Sequence, residues 1–194
     1  MPHIRSPYPS LPIRALEQAA IWHDGQIRRH PELKIPYIAH PAGVGLMLER
    51  AGCDEETIAA GILHDVIEDC GVTADEIMFL FGSRVALLVK AVSEPAKTVP
   101  WRERKAAYVA QLRAAPVEAI AIATADHLYN MNSLLTSLRA SSDAWNMFHS
   151  DKDEKIRVEK QVYEIARTRW VHPLVEAFAS VIQEVVRLSS GKSL

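Results

Sequence analysis

The sequence predicts an all-α protein in which roughly nine or ten helices form a single domain. Apolar residues recur at helical spacing along most of the chain, and no segment alternates apolar and polar residues as a half-buried strand would. Gly and Pro separate the helical segments. A chain of 194 residues is long enough to bury a full core without disulfides. Its formal net charge of −2 gives no overall attraction to nucleic acid or anionic membranes.

The N-terminal part is predicted to contain an extended lead followed by two helices. Residues 1–12 contain four prolines and are expected to be extended, so the helical domain is expected to span residues 13–190. Apolar spacing predicts the first helix at about Ile13–Ile27. The second helix is expected to end near Arg50, with Pro41 in its first turn and His40 just before it.

The next predicted helix is the most informative. Asp54 is its expected N-cap, and Gly71 is its expected C-cap. Because no Gly or Pro interrupts Ile62–Asp69, this stretch is predicted to be one continuous, mostly buried helix.

The remaining helices follow from capping and apolar spacing. Thr73–Glu76 has the pattern of a capping box, and Arg84–Val92 and Trp101–Ala114 are predicted to be helical. Pro116 opens an apolar helix, and an acidic and basic stretch from Asp151 leads into one long helix that ends near Leu188.

The cysteines and the apolar runs predict the compartment. Cys53 and Cys70 lack a CxxC spacing and are expected to be structural thiols in a reducing environment. No apolar run approaches the length of about 18 residues needed for a membrane span, and the N-terminus lacks an apolar signal region. The sequence therefore predicts a cytoplasmic protein without a membrane or nucleic-acid partner.

The predicted central helix contains, within six consecutive residues, four side chains of the types that bind metals or transfer protons: His64, Asp65, Glu68 and Asp69. Burying three carboxylates and an imidazole without partners would be costly, and a bound cation would remove that cost. A capped or salt-bridged helix with satisfied polar groups is the alternative interpretation.

Two further residues complete a candidate metal site. His40 lies between two rigid segments, and Asp126 directly follows a buried apolar run. Two imidazoles and two carboxylates suit a borderline divalent ion such as Mn²⁺, Fe²⁺ or Zn²⁺. Such an ion acidifies water and neutralises phosphoryl charge, and Glu68 and Asp69 are placed to orient the water and move its proton. These residues predict a metal-dependent hydrolase with an anionic substrate, with His40, His64, Asp65 and Asp126 as ligands.

A resemblance to a known family makes this prediction more specific. Six motifs carry it, in the following order: His23–Arg29, Pro36–Pro41, Leu63–Asp69, Phe81–Gly82, Arg102–Lys105 and Ala125–Met131. The chain resembles the HD-superfamily hydrolase domain of RelA/SpoT-type alarmone enzymes, especially the stand-alone small alarmone hydrolases. The resemblance implies an HD-type helical bundle that hydrolyses the 3′-pyrophosphate of ppGpp or pppGpp to GDP or GTP.

The resemblance also implies roles for individual residues. The four predicted ligands would hold one Mn²⁺-type ion, and Glu68 and Asp69 would be the hydrolytic pair. Arg28 would stack on or flank the guanine, Arg29 would lie near it, and Asn130 would contact the nucleoside. No synthetase domain is expected, because the remaining chain is too short for one.

Two departures from the family pattern leave other substrates open. A basic residue expected near the phosphates is absent at Ala123, and His127 replaces a cation with a titratable group. The alternatives are a phosphohydrolase that acts on another phosphorylated nucleotide, such as NADPH, and a nucleotide-binding regulator with little turnover. In each case the partner is a small-molecule nucleotide, and the oligomeric state stays open.

Overall fold

A computed structural model describes residues 9–28, 33–140, 144–145 and 151–190, and these residues contain ten α-helices. The helices are α1 Leu11–Trp22, α2 Ala39–Arg50, α3 Glu55–Ile62, α4 Val66–Cys70, α5 Ala74–Phe81, α6 Ser83–Val92, α7 Trp101–Ala114, α8 Val117–Ala140, α9 Lys152–Arg169 and α10 Pro173–Ser189. The predicted all-α class is confirmed. Extended pairing within these ranges is limited to an isolated antiparallel bridge between Ile27 and Pro36.

The predicted helix caps are present. The Asp54 side chain accepts a hydrogen bond from the Thr57 backbone N–H at 2.8 Å, at the start of α3. Thr73 and Glu76 form the reciprocal capping box that opens α5. Gly71 ends α4 with a φ of 70°, a left-handed conformation that glycine adopts without steric cost. These helix ends can be predicted from local sequence because the capping hydrogen bonds join residues within one helical turn.

The prediction of one continuous helix over Ile62–Asp69 is wrong. α3 ends at Ile62, a turn follows, and α4 starts at Val66. The Gly61 carbonyl accepts a hydrogen bond from the His64 ring at 2.7 Å instead of continuing the α-helical ladder. The turn therefore places His64 and Asp65 at the junction of two helices.

The single long C-terminal helix predicted after the charged stretch Asp151–Lys160 and ending near Leu188 is also wrong, because two helices, α9 and α10, occupy this region and the chain breaks between them. Pro173 has no N–H to donate and disfavours helical backbone in the preceding residue. His172 instead caps α10, accepting a hydrogen bond from the Leu174 backbone N–H at 3.1 Å.

Two boundaries near the N-terminus also differ from the prediction. α1 starts at Leu11, so the last residues of the predicted extended lead are helical, with a proline in the first turn. α1 ends at Trp22 rather than near Ile27, and the chain turns at Gly25, which has a φ of 73°. His40 lies inside the first turn of α2 rather than just before the helix.

The packing of α2 against α3 positions the two histidines. A Cβ at Gly61 would lie 2.2 Å from Leu48 Cδ1, and a Cβ at Gly45 would lie 2.6 Å from Ile62 Cγ1. Glycine at both positions lets the helices approach closely. Because α2 and α3 form a helical hairpin, the start of α2 and the end of α3 meet at the same end of the bundle.

The long helix α8 lies at the centre of the bundle. It packs against α2, α3, α6, α9 and α10, and its apolar residues from Ala119 to Ala125 are buried. This packing brings the middle of α8 to the end of the α2–α3 hairpin. Of the helices described, none is both long enough and apolar enough to cross a membrane.

Candidate metal centre

The four residues predicted as metal ligands converge on one small volume. The Nε2 atoms of His40 and His64 lie 3.1 Å apart. Asp65 Oδ2 lies 3.0 Å from His64 Nε2 and 3.5 Å from His40 Nε2. Asp126 Oδ1 lies 3.1 Å from His40 Nε2 and 3.6 Å from His64 Nε2. Residues from α2, from the α3–α4 turn and from α8 therefore present their ligating atoms to a common centre.

The donor set fits a divalent cation. Neighbouring ligand atoms bound at about 2.1 Å to one ion lie about 3.0–3.4 Å apart, close to the distances between the two imidazoles and from each imidazole to the carboxylates. The ligand atoms of His40, His64 and Asp65 all lie within 4.8 Å of one another, and Asp126 approaches the two histidines of this group. Since the Gly61 carbonyl can only accept, the His64 ring carries a proton on Nδ1, and Nε2 is the nitrogen that faces the centre. The Nδ1 atom of His40 is buried and has no hydrogen-bond partner within the described residues.

The charged groups at this centre shift one another's pKa values. Burial by itself would raise the pKa of the Asp65 and Asp126 carboxyls, but the neighbouring histidines hold both values well below the usual range. Burial would lower the pKa of His64, but the two carboxylates raise it well above its usual value. A cation would supply the positive charge that the carboxylates otherwise draw from a protonated imidazole.

Tyr37 is a contact of this centre that the sequence did not reveal. Its hydroxyl donates a hydrogen bond of 2.5 Å to Asp65 Oδ2, and burial followed by the charge of Asp65 raises the pKa of the phenol. On the other side, Asn130 Nδ2 donates to Asp126 Oδ1 at 2.6 Å. Both carboxylates are thus held by a second side chain, the type of support that orients metal ligands. The only available sequence signal for Tyr37 was its position three residues before His40.

The predicted hydrolytic pair lies one turn beyond the centre, in α4. Glu68 Oε1 accepts a hydrogen bond of 2.6 Å from the Glu94 backbone N–H. Burial raises the pKa of the Glu68 carboxyl to about 7, although this hydrogen bond opposes the rise. Asp69 pairs with Lys97, with 2.6 Å between Oδ1 and Nζ. The loop after α6 supplies both partners, and no sequence pattern indicated either of them.

The predicted substrate residues form a platform beside Asp126. Arg28 Nη2 donates to Asn130 Oδ1 at 3.2 Å, and its guanidinium lies over the Tyr129 ring, 5.0 Å from the centroid. The Arg28 backbone N–H is held by the Ile35 carbonyl at 2.8 Å. Arg29, the other predicted base contact, lies outside the described residues.

The two residues that depart from the family pattern are both buried. Ala123 is buried within α8. His127 is also buried, and its Nδ1 lies 2.7 Å from Glu159 Oε2 while its Nε2 lies 3.3 Å from the Tyr108 hydroxyl. His127 belongs to a buried network between α8 and α9.

Comparison with known protein families agrees with this fold. The profile of the HD domain family matches residues 15–147, which is more than half of the chain. The chain belongs to the HD domain family, so the predicted resemblance and the HD-type fold are confirmed.

Within this family, the chain is similar in sequence to several proteins that are named as pyrophosphohydrolases. The chain is 35% identical over 139 residues to guanosine-3′,5′-bis(diphosphate) 3′-pyrophosphohydrolase MESH1 of Xenopus tropicalis, covering 71% of this chain and 75% of that protein. It is 37% identical over 136 residues to human MESH1, covering 69% and 73%. A Vibrio cholerae protein that is named guanosine-3′,5′-bis(diphosphate) 3′-pyrophosphohydrolase is 39% identical to this chain over 132 residues. The match covers 63% of this chain but only 18% of that longer protein.

Two solved structures share the fold. One belongs to a study of a metazoan ortholog of SpoT that hydrolyses ppGpp. It matches with a TM-score of 0.76 at 26% identity and covers 92% of this chain and 98% of that chain. Listeria monocytogenes lmo0812 matches with a TM-score of 0.71 at 30% identity and covers 76% and 99%.

Proposed function

We propose that this protein is a metal-dependent hydrolase that converts ppGpp or pppGpp and water to GDP or GTP and pyrophosphate. The observation that carries the proposal is the cluster of His40, His64 and Asp65, whose ligand atoms all lie within 4.8 Å of one another, with Asp126 Oδ1 3.1 Å from His40 Nε2. The names of relatives that share about three quarters of their length with this chain support the choice of substrate.

In this proposal the four residues hold one divalent ion, and Mn²⁺ is the preferred ion, with Fe²⁺ or Zn²⁺ as alternatives. Two imidazoles and two carboxylates form a mixed nitrogen and oxygen donor set that such borderline ions accept. When bound, the ion would lower the pKa of a water molecule and neutralise phosphate charge. Tyr37 and Asn130 would keep the two carboxylates oriented.

Glu68 is the proposed general base. Its pKa of about 7 lets the carboxylate accept a proton near neutral pH and release it again. The backbone N–H of Glu94 fixes Oε1, so Oε2 remains to receive the proton of the attacking water. Asp69, fixed by Lys97, would orient the same water.

The substrate base would lie against Arg28. A guanidinium that already rests on the Tyr129 ring presents a flat cationic face, which suits stacking with a purine. Asn130 would contact the nucleoside, and its amide also holds Asp126. The base and the reacting phosphate would thus be aligned by neighbouring residues of α8.

The proposal is tested with a substrate panel in which ppGpp, pppGpp, NADPH and nucleoside monophosphates are incubated with the protein and Mn²⁺. Products are identified by ³¹P NMR and chromatography. Pyrophosphate and GDP from ppGpp are expected. Release of orthophosphate from NADPH without turnover of ppGpp would refute the proposed substrate, and metal binding without any product would refute the proposed activity.

Variants separate the proposed roles. His64→Ala and Asp65→Ala are expected to lose the metal and turnover together. Glu68→Gln is expected to retain the metal and lose about 10²–10⁴-fold in rate, the usual contribution of a general base. Glu55→Gln makes the same chemical change at an exposed site and is the matched control. Loss of the metal in Glu68→Gln would mean that Glu68 is a ligand.

A further inference from the structure

A second cavity, lined by none of the candidate-centre residues, lies between the C-terminal end of α7, α9 and α10. It has a volume of about 780 Å³. Pockets that bind small molecules commonly have volumes of about 300–1,000 Å³. The cavity is therefore large enough for a nucleotide-sized ligand.

The lining of this cavity is strongly basic. Of the residues that the structure describes, five cations line it, namely Arg113, Lys152, Arg157, Lys160 and Arg169. Two acidic residues, Asp153 and Glu164, also line it, so the local formal charge is +5 − 2 = +3. The whole chain carries −2, so positive charge is concentrated on this surface. An anion would be attracted here and not to the molecule in general.

Several of these cations remain free to bind an anion. The Arg169 guanidinium donates to the carbonyls of Arg113 at 2.7 Å and Ala115 at 3.0 Å, which fixes its position without neutralising its charge. Arg157 and Lys160 make no ion pair with a carboxylate of the described residues. Glu164 is already paired with Arg167, with 2.6 Å between their side chains.

Part of the lining of the same cavity is apolar. Ile156 and Ile165 of α9, which are buried, and Val186 of α10 form this apolar part of the lining. A smaller adjoining cavity of about 190 Å³ shares Arg113 and Arg157 with the first and extends the basic surface along α7. A cavity lined by both apolar residues and cations matches a ligand that joins a planar apolar group to several phosphates.

We infer that this cavity is a second binding site for a nucleoside polyphosphate. The phosphates lie against Arg157 and Lys160, and the base and ribose lie over Ile156, Ile165 and Val186. A concave site of this size with a partly apolar lining favours a small ligand over a nucleic acid. This inference is independent of the proposed hydrolysis, because it uses no residue of the candidate metal centre.

The test measures binding of GTP to the full-length chain by equilibrium dialysis in EDTA. The double variant Arg157→Glu/Lys160→Glu is compared with Arg50→Glu/Lys90→Glu. The control makes the same change in net charge at two exposed positions that do not line the cavity. Each cation removed from a phosphate contact is expected to weaken binding about tenfold.

The expected result is that the cavity variant loses one GTP site while the control retains it. Inorganic pyrophosphate, which lacks the base, is expected to bind more weakly than GTP. GTP is also expected to slow hydrogen exchange in residues 152–169 of the wild-type protein. Unchanged GTP binding in the cavity variant, equal weakening in both variants, or binding of single-stranded RNA but not GTP would each overturn the inference. The exchange measurement needs no variant, so absence of protection would overturn it even if the cavity variant failed to fold.

Discussion

Replacing Glu159 by Gln perturbs the buried ion-pair network that joins α8 to α9. Glu159 is 1% exposed, and its carboxylate contacts His127 at 2.7 Å and Lys155 at 2.9 Å. Burial by itself would raise the pKa of this carboxyl, but attraction by His127 and Lys155, together with their hydrogen bonds, lowers it to about 2. The amide of Gln cannot replace the negative charge that these two side chains face.

The expected loss of folding free energy follows from the shift in the pKa of Glu159. A fall from the ordinary 4.5 to about 2 corresponds to about 3 kcal/mol of folding free energy at neutral pH. Because the pKa is lowered on folding, this contribution is complete above about pH 4.5 and is lost as the pH falls toward 2. Breaking a buried pair by removing one partner costs about 3–5 kcal/mol, which agrees in size.

Urea unfolding followed by circular dichroism measures this effect at several pH values. The wild type is expected to exceed Glu159→Gln in free energy of unfolding by about 3 kcal/mol at pH 6 and by about 2 kcal/mol at pH 3.5. Glu164→Gln is the control on the same helix, since its exposed pair with Arg167 should contribute less than about 1 kcal/mol.

Two outcomes would show that the ionised Glu159 carboxylate does not stabilise the fold as expected. If Glu159→Gln were as stable as Glu164→Gln at pH 6, the network would not stabilise the fold as its geometry indicates. If the difference from wild type were large but did not change between pH 6 and pH 3.5, it would come from altered packing rather than from the ionised carboxylate.

Three further predictions concern the site and its packing. Tyr37→Phe removes the hydrogen bond to Asp65 and should weaken metal affinity about 10–100-fold, measured by metal titration; unchanged affinity would exclude an orienting role for the hydroxyl. Arg28→Ala should raise KM about tenfold with little change in kcat, because Arg28 contacts the proposed base site, and an equal loss in kcat would contradict this. Gly43→Ala should cost about 1–3 kcal/mol in urea unfolding, since its Cβ would lie 2.1 Å from the Tyr129 ring; wild-type stability would mean that the ring moves at no cost.

Features that arise within one helical turn or from side-chain chemistry could be predicted before the fold was known. The caps at Asp54, Thr73 and Gly71 were predictable because the bonds that form them join neighbouring residues. The types of side chain in the candidate centre were also predictable, because a borderline divalent ion selects imidazole and carboxylate. Their ligand roles remain a prediction, but the proposed ligating atoms do meet at one centre.

The residues that support that centre became visible only in the packed fold. Tyr37 and Asp65 are 28 residues apart, Glu68 and Glu94 are 26 apart, and Lys97 and Asp69 are 28 apart. No local pattern links such pairs, since each forms when separate helices pack together. The break after α3 has a similar origin, because the bond between the His64 ring and the Gly61 carbonyl competes with the helical ladder. Helical periodicity does not report that competition, and so it predicted one helix where the packed protein has a turn.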